Sequence, residues 1–154
     1  MRRFSNPFLY LFVLLFLYFV LITSMGELLW GTVPPNELHW TEKLFFGLCH
    51  QLPDRTYTID GAMMAVNTRC FGIFLGMAAG WTFIPYAIRF TAGKRWPILI
   101  LLAAVLLQIV DYLGNLVEFW QNTNHSRTLL GVLFGAALSI SVSDLFLTRN
   151  KNNS

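Results

Sequence analysis

Four long apolar runs constrain the fold of this chain more than any other feature. They cover about residues 7–25, 70–90, 97–120 and 129–147, and each is close to the ~20 residues that a helix needs to cross the core of a bilayer. Charged residues make up 12% of the chain, about half of their share in a soluble domain. The sequence therefore predicts one all-α domain over residues 1–154. We expect a polytopic membrane protein with four transmembrane helices, arranged as a four-helix bundle.

The first run has an alternative interpretation as a signal peptide, because Arg2 and Arg3 precede it and residues 24–26 resemble a small-x-small cleavage site. Its apolar core is longer than the about 7–15 residues that such a signal contains. This length favours a transmembrane span.

The basic residues predict how the four spans are oriented. One side of the membrane would carry Arg2, Arg3, Arg89, Lys94, Arg95, Arg149 and Lys151. The other side would carry Lys43, Arg55, Arg69 and Arg127, together with the acidic residues Glu27, Glu37, Glu42, Asp54 and Asp60. Because an excess of basic residues marks the cytoplasmic side, we expect a multi-pass protein of the cytoplasmic (inner) membrane with both termini inside. The segment over about residues 26–69 would then be extracytoplasmic.

Part of this segment has the pattern of an amphipathic helix. Asn36 is a residue type that caps helices, and Pro53 would end the helix. Between them, one helix face would carry Leu38, Thr41, Leu44, Phe45, Leu48 and Leu52. The opposite face would carry Glu37, Glu42, Lys43 and His50. This pattern predicts an interfacial helix at the outer surface of the bilayer.

Small residues recur every fourth position in two of the spans. The second span carries Gly72, Gly76 and Gly80, and the fourth carries Gly131, Gly135, Ser139 and Ser143. Such stripes let helix backbones approach closely in lipid. We therefore expect these two helices to form an inner pair, with the phenylalanine-rich first span facing lipid. The same stripes could instead dock a second copy or a larger membrane partner.

The third span carries a polar stripe. Gln108, Asp111, Asn115 and Glu118 are spaced so that they share one helix face. With the span ending near Trp120, Asp111 would lie close to the middle of the membrane, where a charged carboxylate is costly unless it is paired, protonated or hydrated. It is either a functional carboxylate or part of a structural polar network. We expect Arg69 or Arg127 to pair with Glu118, and small hydroxyl groups to contact Asp111.

Two cysteines lie at the ends of the segment that leads into the second span. Cys49 and Cys70 would face the extracytoplasmic side, where a pair of cysteines most often forms a structural disulfide. Two other interpretations are open. Cys49, His50 and Cys70 could hold a zinc-like metal ion, or the two cysteines could act as a redox thiol pair beside Arg55 and Arg69.

Three arginines form the other candidate site. Arg55, Arg69 and Arg127 each fall at the outer boundary of a predicted helix. Guanidinium groups bind phosphate and carboxylate through two parallel hydrogen bonds, so these residues could hold an anion or a lipid phosphate. The alternative is that they pair with nearby carboxylates or extend their charged ends to the membrane surface.

Two sequence motifs carry a resemblance to a known family. Residues 49–55 read Cys-His-Gln-Leu-Pro-Asp-Arg, and residues 69–76 read Arg-Cys-Phe-Gly-Ile-Phe-Leu-Gly. They resemble the signature of a small bacterial and archaeal family of predicted membrane proteins of unknown function, over roughly residue 45 to the end of the fourth span. Further matches are Asn124, Arg127, Gly131 and Gly135, with Asp111 similar to the preceding acidic position. The chain departs from the family at Asn67, where the first cysteine of a Cys-x-x-Cys is usual, which argues against a closed thiolate-rich zinc site.

These observations lead to three functional hypotheses. The first is an extracytoplasmic pocket that acts through a metal or a redox thiol, with Cys49, His50, Cys70 and Asp111 as catalytic candidates. In that pocket the anion-binding candidates are Arg55, Arg69, Arg127, Glu118 and Asn124. The second is a non-enzymatic protein that binds or transports an anionic membrane lipid and has a structural disulfide. The third is an accessory subunit of a larger membrane complex. No basic cluster or stacking platform indicates a nucleic-acid partner.

Overall fold

The computed structural model describes residues 3–4, 6–34, 37–91, 96–143 and 147–148, and it is mostly helical. Its helices are α1 (Pro7–Ser24), α2 (Glu27–Trp30), α3 (Trp40–Phe45), α4 (Thr68–Thr91), α5 (Trp96–Leu116) and α6 (Asn124–Ser143), with a 3₁₀ turn at Pro53–Arg55. The strands are two residues each: β1 (Arg3–Phe4), β2 (Thr58–Ile59), β3 (Ala62–Met63) and β4 (Leu147–Thr148). Strand β1 pairs with β4 and β2 pairs with β3, both antiparallel.

Three helices in the described part of the chain, α1, α5 and α6, are long and apolar enough to cross a membrane. They confirm that three of the predicted runs form long apolar helices. The remaining run corresponds to α4, which has 24 residues and continues through Pro85. The helix bounds differ from the prediction mainly in two places. Helix α5 ends at Leu116 and not near residue 120, and α6 begins at Asn124 and not near residue 129.

The predicted interfacial helix is much shorter than expected. Helix α3 has six residues and is capped by His39, whose side chain accepts from the backbone amide of Thr41. The chain leaves the helix at Phe46, and Gly47 follows with φ at +89°, a left-handed conformation that interrupts a helix and suits glycine. Of the predicted apolar face, Thr41 and Phe45 are buried. The predicted cap, Asn36, lies outside the described residues.

Helices α4 and α6 pack against each other through their glycines. A Cβ atom added to Gly72 would overlap the carbonyl oxygen of Thr128, and one added to Gly76 would overlap that of Val132. From the other side, a Cβ on Gly135 would overlap the carbonyl oxygen of Ile73. Later residues of α4 meet later residues of α6, so the two helices run parallel. The sequence-based prediction of an inner helix pair agrees with this packing.

Helix α1 lies on the outside of this pair. Its Leu17 packs with Ala78, Trp81 and Ile84 of α4. The opposite face of α1 exposes large apolar side chains, namely Phe8, Phe12, Phe16 and Phe19. An exposed face of this kind is stable only in lipid or against another apolar surface.

The β1–β4 pair joins the two ends of the described chain, with Arg3 opposite Thr148 and Phe4 opposite Leu147. The start of α1 and the end of α6 are therefore at the same end of the bundle, called here the terminal end. The starts of α4 and α6 lie at the opposite end, called here the loop end. Five basic residues used to predict the orientation lie outside the described residues: Arg2, Lys94, Arg95, Arg149 and Lys151.

Candidate functional site

A polar cavity of about 420 Å³ opens at the loop end of the bundle. It lies among the first residues of α4, the last residues of α5, the start of α6 and the loop before α4. Its walls are His50, Arg55, Asn67, Thr68, Arg69, Cys70, Tyr112, Asn115, Leu116, Glu118, Asn122 and Arg127. Six of the candidate residues from the sequence line this cavity: His50, Arg55, Arg69, Cys70, Glu118 and Arg127.

The three arginines reach the cavity from three separate elements. Arg55 ends the 3₁₀ turn, Arg69 is the second residue of α4, and Arg127 lies in the first turn of α6. Glu118 is the only carboxylate among the lining residues that the structure describes. Arg55 pairs with the exposed Asp54 at 3.5 Å, a surface contact that contributes little to stability. The lining side chains themselves therefore carry three positive charges and one negative charge.

Arg69 is held by a carboxylate beneath the cavity wall. Its guanidinium forms an ion pair with Asp111, whose Oδ2 also accepts from the side-chain amide of Asn122 at 2.7 Å. This corrects the expected pairing, in which Arg69 or Arg127 would contact Glu118. The reason is that α5 ends at Leu116, which leaves Asp111 five residues from the helix end, about 7.5 Å along its axis. The ion pair thus lies near the loop end and not in the middle of the bundle.

The other three residues of the predicted polar stripe have three different environments. Gln108 donates to the carbonyl oxygen of Leu130 and joins α5 to α6. Asn115 accepts from the backbone amide of Asn122 at 3.2 Å. Glu118 lies beyond the helix, in a turn with φ at +56°. This left-handed conformation is unfavourable for a residue with a Cβ atom, so a strained carboxylate stands at the cavity wall.

Two buried polar atoms in the cavity wall have no partner. Among the described residues, the hydroxyl of Thr68 and the Nε of Arg69 are the buried side-chain polar atoms without a hydrogen bond. Buried polar groups in proteins are nearly always hydrogen-bonded, and an exception often faces a water or a ligand. Both residues line the same cavity, which indicates a site suited to a hydrogen-bonding ligand.

The two cysteines meet beside the cavity as free thiols. Their Sγ atoms are 3.3 Å apart, and the backbone amide of Asn67 donates to the Cys49 sulfur at 3.2 Å. The pKa of the Cys49 thiol is lowered to about 5. The main cause is the hydrogen bond that Cys70 gives to the ionised Cys49 sulfur. The Asn67 amide acts in the same direction, whereas burial opposes the shift.

The predicted metal ligands do not form a ligand cluster. Cys49 is buried, while the next residue, His50, is exposed, because adjacent side chains point in different directions. Within the described ranges there is no group of three or more histidine, cysteine, aspartate or glutamate side chains that could hold a metal ion. Cys49 and Cys70 therefore stand as a thiol pair and not as part of a three-ligand set.

Two asparagines organise the backbone around the cavity. The side-chain oxygen of Asn67 accepts from the Leu52 amide at 2.8 Å and from the Thr56 hydroxyl at 3.2 Å. The side-chain amide of Asn124 donates to the carbonyl oxygen of Thr56, and its oxygen accepts from Arg127. Asn124 thus positions Arg127 and does not line the cavity. The sequence marked Asn67 only as a departure from the family motif. It did not predict the hydrogen bonds of Asn67 to Leu52 and Thr56.

Comparisons with known proteins agree with this part of the chain. Residues 49–141 match the family described as "Predicted membrane protein (DUF2085)". An uncharacterised protein of Methanocaldococcus jannaschii is 29% identical over 102 residues, which is 64% of this chain and 64% of that protein's own length. An uncharacterised protein of Methanothermobacter thermautotrophicus is 29% identical over 97 residues, 60% of this chain and 82% of the relative.

No solved structure matches the chain significantly. The family match begins at Cys49 and ends two residues before the end of α6. It therefore covers α4, all but the last two residues of α6, and the cavity at their loop end. This range includes more than half of the 154 residues and both motifs that suggested the resemblance. The chain belongs to the DUF2085 family of predicted membrane proteins.

Proposed function

We propose that the chain crosses the cytoplasmic membrane four times, with both termini inside and the cavity at the outer face. Two observations support this topology. Helix α4 has 24 residues, about 36 Å of helix, and runs parallel to α6, which is apolar enough to span. The β1–β4 pair also brings the first and last described residues together, as an even number of crossings requires.

The topology is tested by labelling intact cells with a thiol reagent that does not cross membranes. Both native cysteines are first replaced by alanine. Ile59→Cys, in the β2–β3 hairpin, is expected to react, and Gly93→Cys, between α4 and α5, is expected to react only after the membrane is permeabilised. Reaction of Gly93→Cys alone in intact cells would reverse the proposed orientation.

We further propose that the cavity binds an anionic group of a membrane lipid, and the phosphate of a lipid headgroup fits its chemistry. The convergence of Arg55, Arg69 and Arg127 on one cavity carries the proposal. Guanidinium forks match the geometry of phosphate oxygens. The side-chain oxygen of Asn67 serves the loop, so it does not cap the first amides of α4. These amides and the positive end of the helix dipole favour an anion at this position.

Binding of phosphatidic acid in phosphatidylcholine nanodiscs tests this function. Arg127→Gln is the sharpest variant, because Arg127 makes no ion pair among the described residues and its loss leaves no carboxylate unpaired. We expect the variant to bind about tenfold more weakly, the usual effect of removing one charge-assisted hydrogen bond. Lys43→Gln is the matched control, since Lys43 is an exposed cation on the same side that does not line the cavity. Equal effects of both variants would contradict a specific site.

The thiol pair supports a second candidate function, thiol–disulfide exchange. The 3.3 Å between the two Sγ atoms is the observation that favours it. In this reaction the Cys49 thiolate attacks a substrate disulfide and releases one substrate thiolate, which leaves a mixed disulfide. Cys70 then loses its proton, attacks the Cys49 sulfur and expels the second thiolate. The substrate disulfide gains two electrons and becomes two thiols, while the cysteine pair loses two electrons and becomes a disulfide.

Glutathione disulfide is a suitable probe of this second function. After incubation, acid quenching and denaturation, the wild type is expected to have lost both free thiols and to have released two glutathione molecules per chain. Cys70→Ala should stop at the mixed disulfide and release one. Two free thiols persisting in the wild type would exclude exchange under these conditions.

The other two hypotheses have less support from the geometry. For metal binding, the described part of the chain contains no group of three side chains that could act as ligands. Docking of a membrane partner through the glycine stripes would compete with the contact between α4 and α6, which already uses Gly72, Gly76 and Gly135. A docking function would therefore need a different face of the molecule.

A further inference from the structure

An apolar groove lies next to the polar cavity on the surface of the bundle. It has a volume of about 390 Å³ and lies between α4, α5 and α6. Arg69 and Tyr112 line both the groove and the cavity. The groove therefore adjoins the cavity at these two residues, with the cavity polar at the loop end and the groove apolar toward the centre of the bundle.

The groove follows the helix axes for about two turns. On α5 it is lined by Tyr112, Ile109 and Val105, and the separation of seven residues between Tyr112 and Val105 corresponds to about 10 Å. On α6 it reaches Phe134, seven residues beyond Arg127, which is the same distance along that helix. Its length therefore suits an extended hydrocarbon chain better than a compact polar ligand.

We propose that the ligand of the cavity is a lipid whose phosphate lies among the arginines and whose hydrocarbon chain lies in this groove. The inference rests on the proposed anion-binding function and adds the chain-binding half of the site. It is carried by the two lining residues that the depressions share, Arg69 and Tyr112, and by their chemistry, with arginines at one end and apolar side chains at the other. Ligand sites of this size are commonly apolar with a few well-placed polar groups.

A tryptophan placed in the groove tests the inference. Val105→Trp fills the groove, whereas Val110→Trp adds the same side chain to an exposed position of α5 that does not line it. We expect Val105→Trp to weaken binding of phosphatidic acid by about tenfold, because forcing extra atoms into a filled site has a cost of that order. Val110→Trp should bind phosphatidic acid as the wild type does. Binding of glycerol phosphate, which has no chain, should be unchanged in both variants.

The outcomes distinguish failure of chain binding in the groove from failure of anion binding in the cavity. If Val105→Trp and Val110→Trp bind phosphatidic acid equally well, and Arg127→Gln binds it weakly, the headgroup site stands and the groove is not a chain site. If the wild type prefers neither phosphatidic acid over phosphatidylcholine nor glycerol phosphate over glycerol, the proposed anion binding itself fails.

A second measurement uses the wild-type protein, so it does not depend on how well a variant folds. Phosphatidic acid that carries a photoreactive diazirine on one chain is bound in nanodiscs and irradiated. We expect cross-links at Ile73, Ile109 and Phe134, which line the groove. Cross-links spread evenly over the exposed phenylalanines of α1 would show that the chain lies in bulk lipid, and would overturn the inference.

Discussion

The middle and the loop end of the α4–α6 pair use opposite packing strategies. In the middle, glycines bring the two backbones together so closely that no Cβ atom fits at Gly76 or Gly135. At the loop end, the same helices carry the long side chains of Arg69 and Arg127 and leave a cavity between them. Close packing of the middle can hold the helix starts in fixed positions, so that charged groups can stand around an open space. The site thus depends on the backbone contact between α4 and α6 at their glycines.

The largest effect is expected when that contact is broken. Gly76→Leu places four carbon atoms where the Val132 carbonyl lies, and we expect a loss of stability of more than about 3 kcal/mol or a failure to fold. Ala103→Leu adds similar atoms to an exposed position of α5 and should leave stability unchanged. Thermal unfolding in one detergent measures both. A stable Gly76→Leu protein would show that the two helices are not held by backbone contact.

The ion pair below the cavity is expected to show the next largest effect. Arg69→Met leaves the Asp111 carboxylate without its cation, and Asp111→Leu leaves the guanidinium without its anion. Because Asp111 is buried and Arg69 is only partly exposed, each single change should cost about 2–3 kcal/mol. The double variant, which removes both charges, should cost less than either single change. A double-mutant cycle in detergent measures this coupling, and strictly additive effects would contradict it.

The reactivity of Cys49 is expected to depend unusually on pH. Since the thiolate is the reactive form and its pKa is lowered to about 5, reaction with a small methanethiosulfonate should stay near its maximum down to about pH 6 and fall only as the pH passes through 5. In the denatured protein the midpoint should return to about 8.5. Cys70→Ala removes the main hydrogen-bond donor and should raise the midpoint. A native midpoint near 8.5 would contradict the proposed activation of Cys49.

The smallest expected effect concerns the strained turn at the cavity wall. Glu118→Gly removes a Cβ atom from a residue with φ at +56°, so it should raise stability by up to about 1 kcal/mol. Glu118→Gln keeps the Cβ atom and should not stabilise the turn. Thermal unfolding of the two variants under identical conditions makes the comparison. A stabilising Glu118→Gly would show that Glu118 is present at a cost to stability, as expected of a residue that serves the site.

Much of the helical core could be predicted from the sequence, because its signals are local. Runs of about 20 apolar residues predict helices wherever they occur, and the spacing of Gly72, Gly76 and Gly80 predicts a face that another backbone can approach. Even so, helix ends were misplaced where a turn competes with the pattern. Gly47 interrupts the predicted interfacial helix, and the turn at Glu118 follows the early end of α5.

The candidate site was predictable only as a set of residue types at one end of the bundle. Its geometry depends on contacts between distant parts of the chain: Arg69 with Asp111, Asn67 with Leu52, and Asn124 with Thr56. The sequence suggested Glu118 as the partner of an arginine, but the parallel packing of α4 and α6 and the end of α5 at Leu116 bring Asp111 to Arg69 instead.

By itself the sequence determined that this protein is helical, belongs in a membrane and carries arginines and thiols near the ends of its apolar runs. These properties follow from hydropathy, residue spacing and side-chain chemistry, which act over one or two helical turns. Only the tertiary structure decided that the arginines share one cavity, that the cysteines meet as thiols and that an apolar groove leads away from Arg69. The reason is that each of these features joins segments that are distant in the sequence, as with Cys49 and Cys70, which are 21 residues apart, and only packing brings them together.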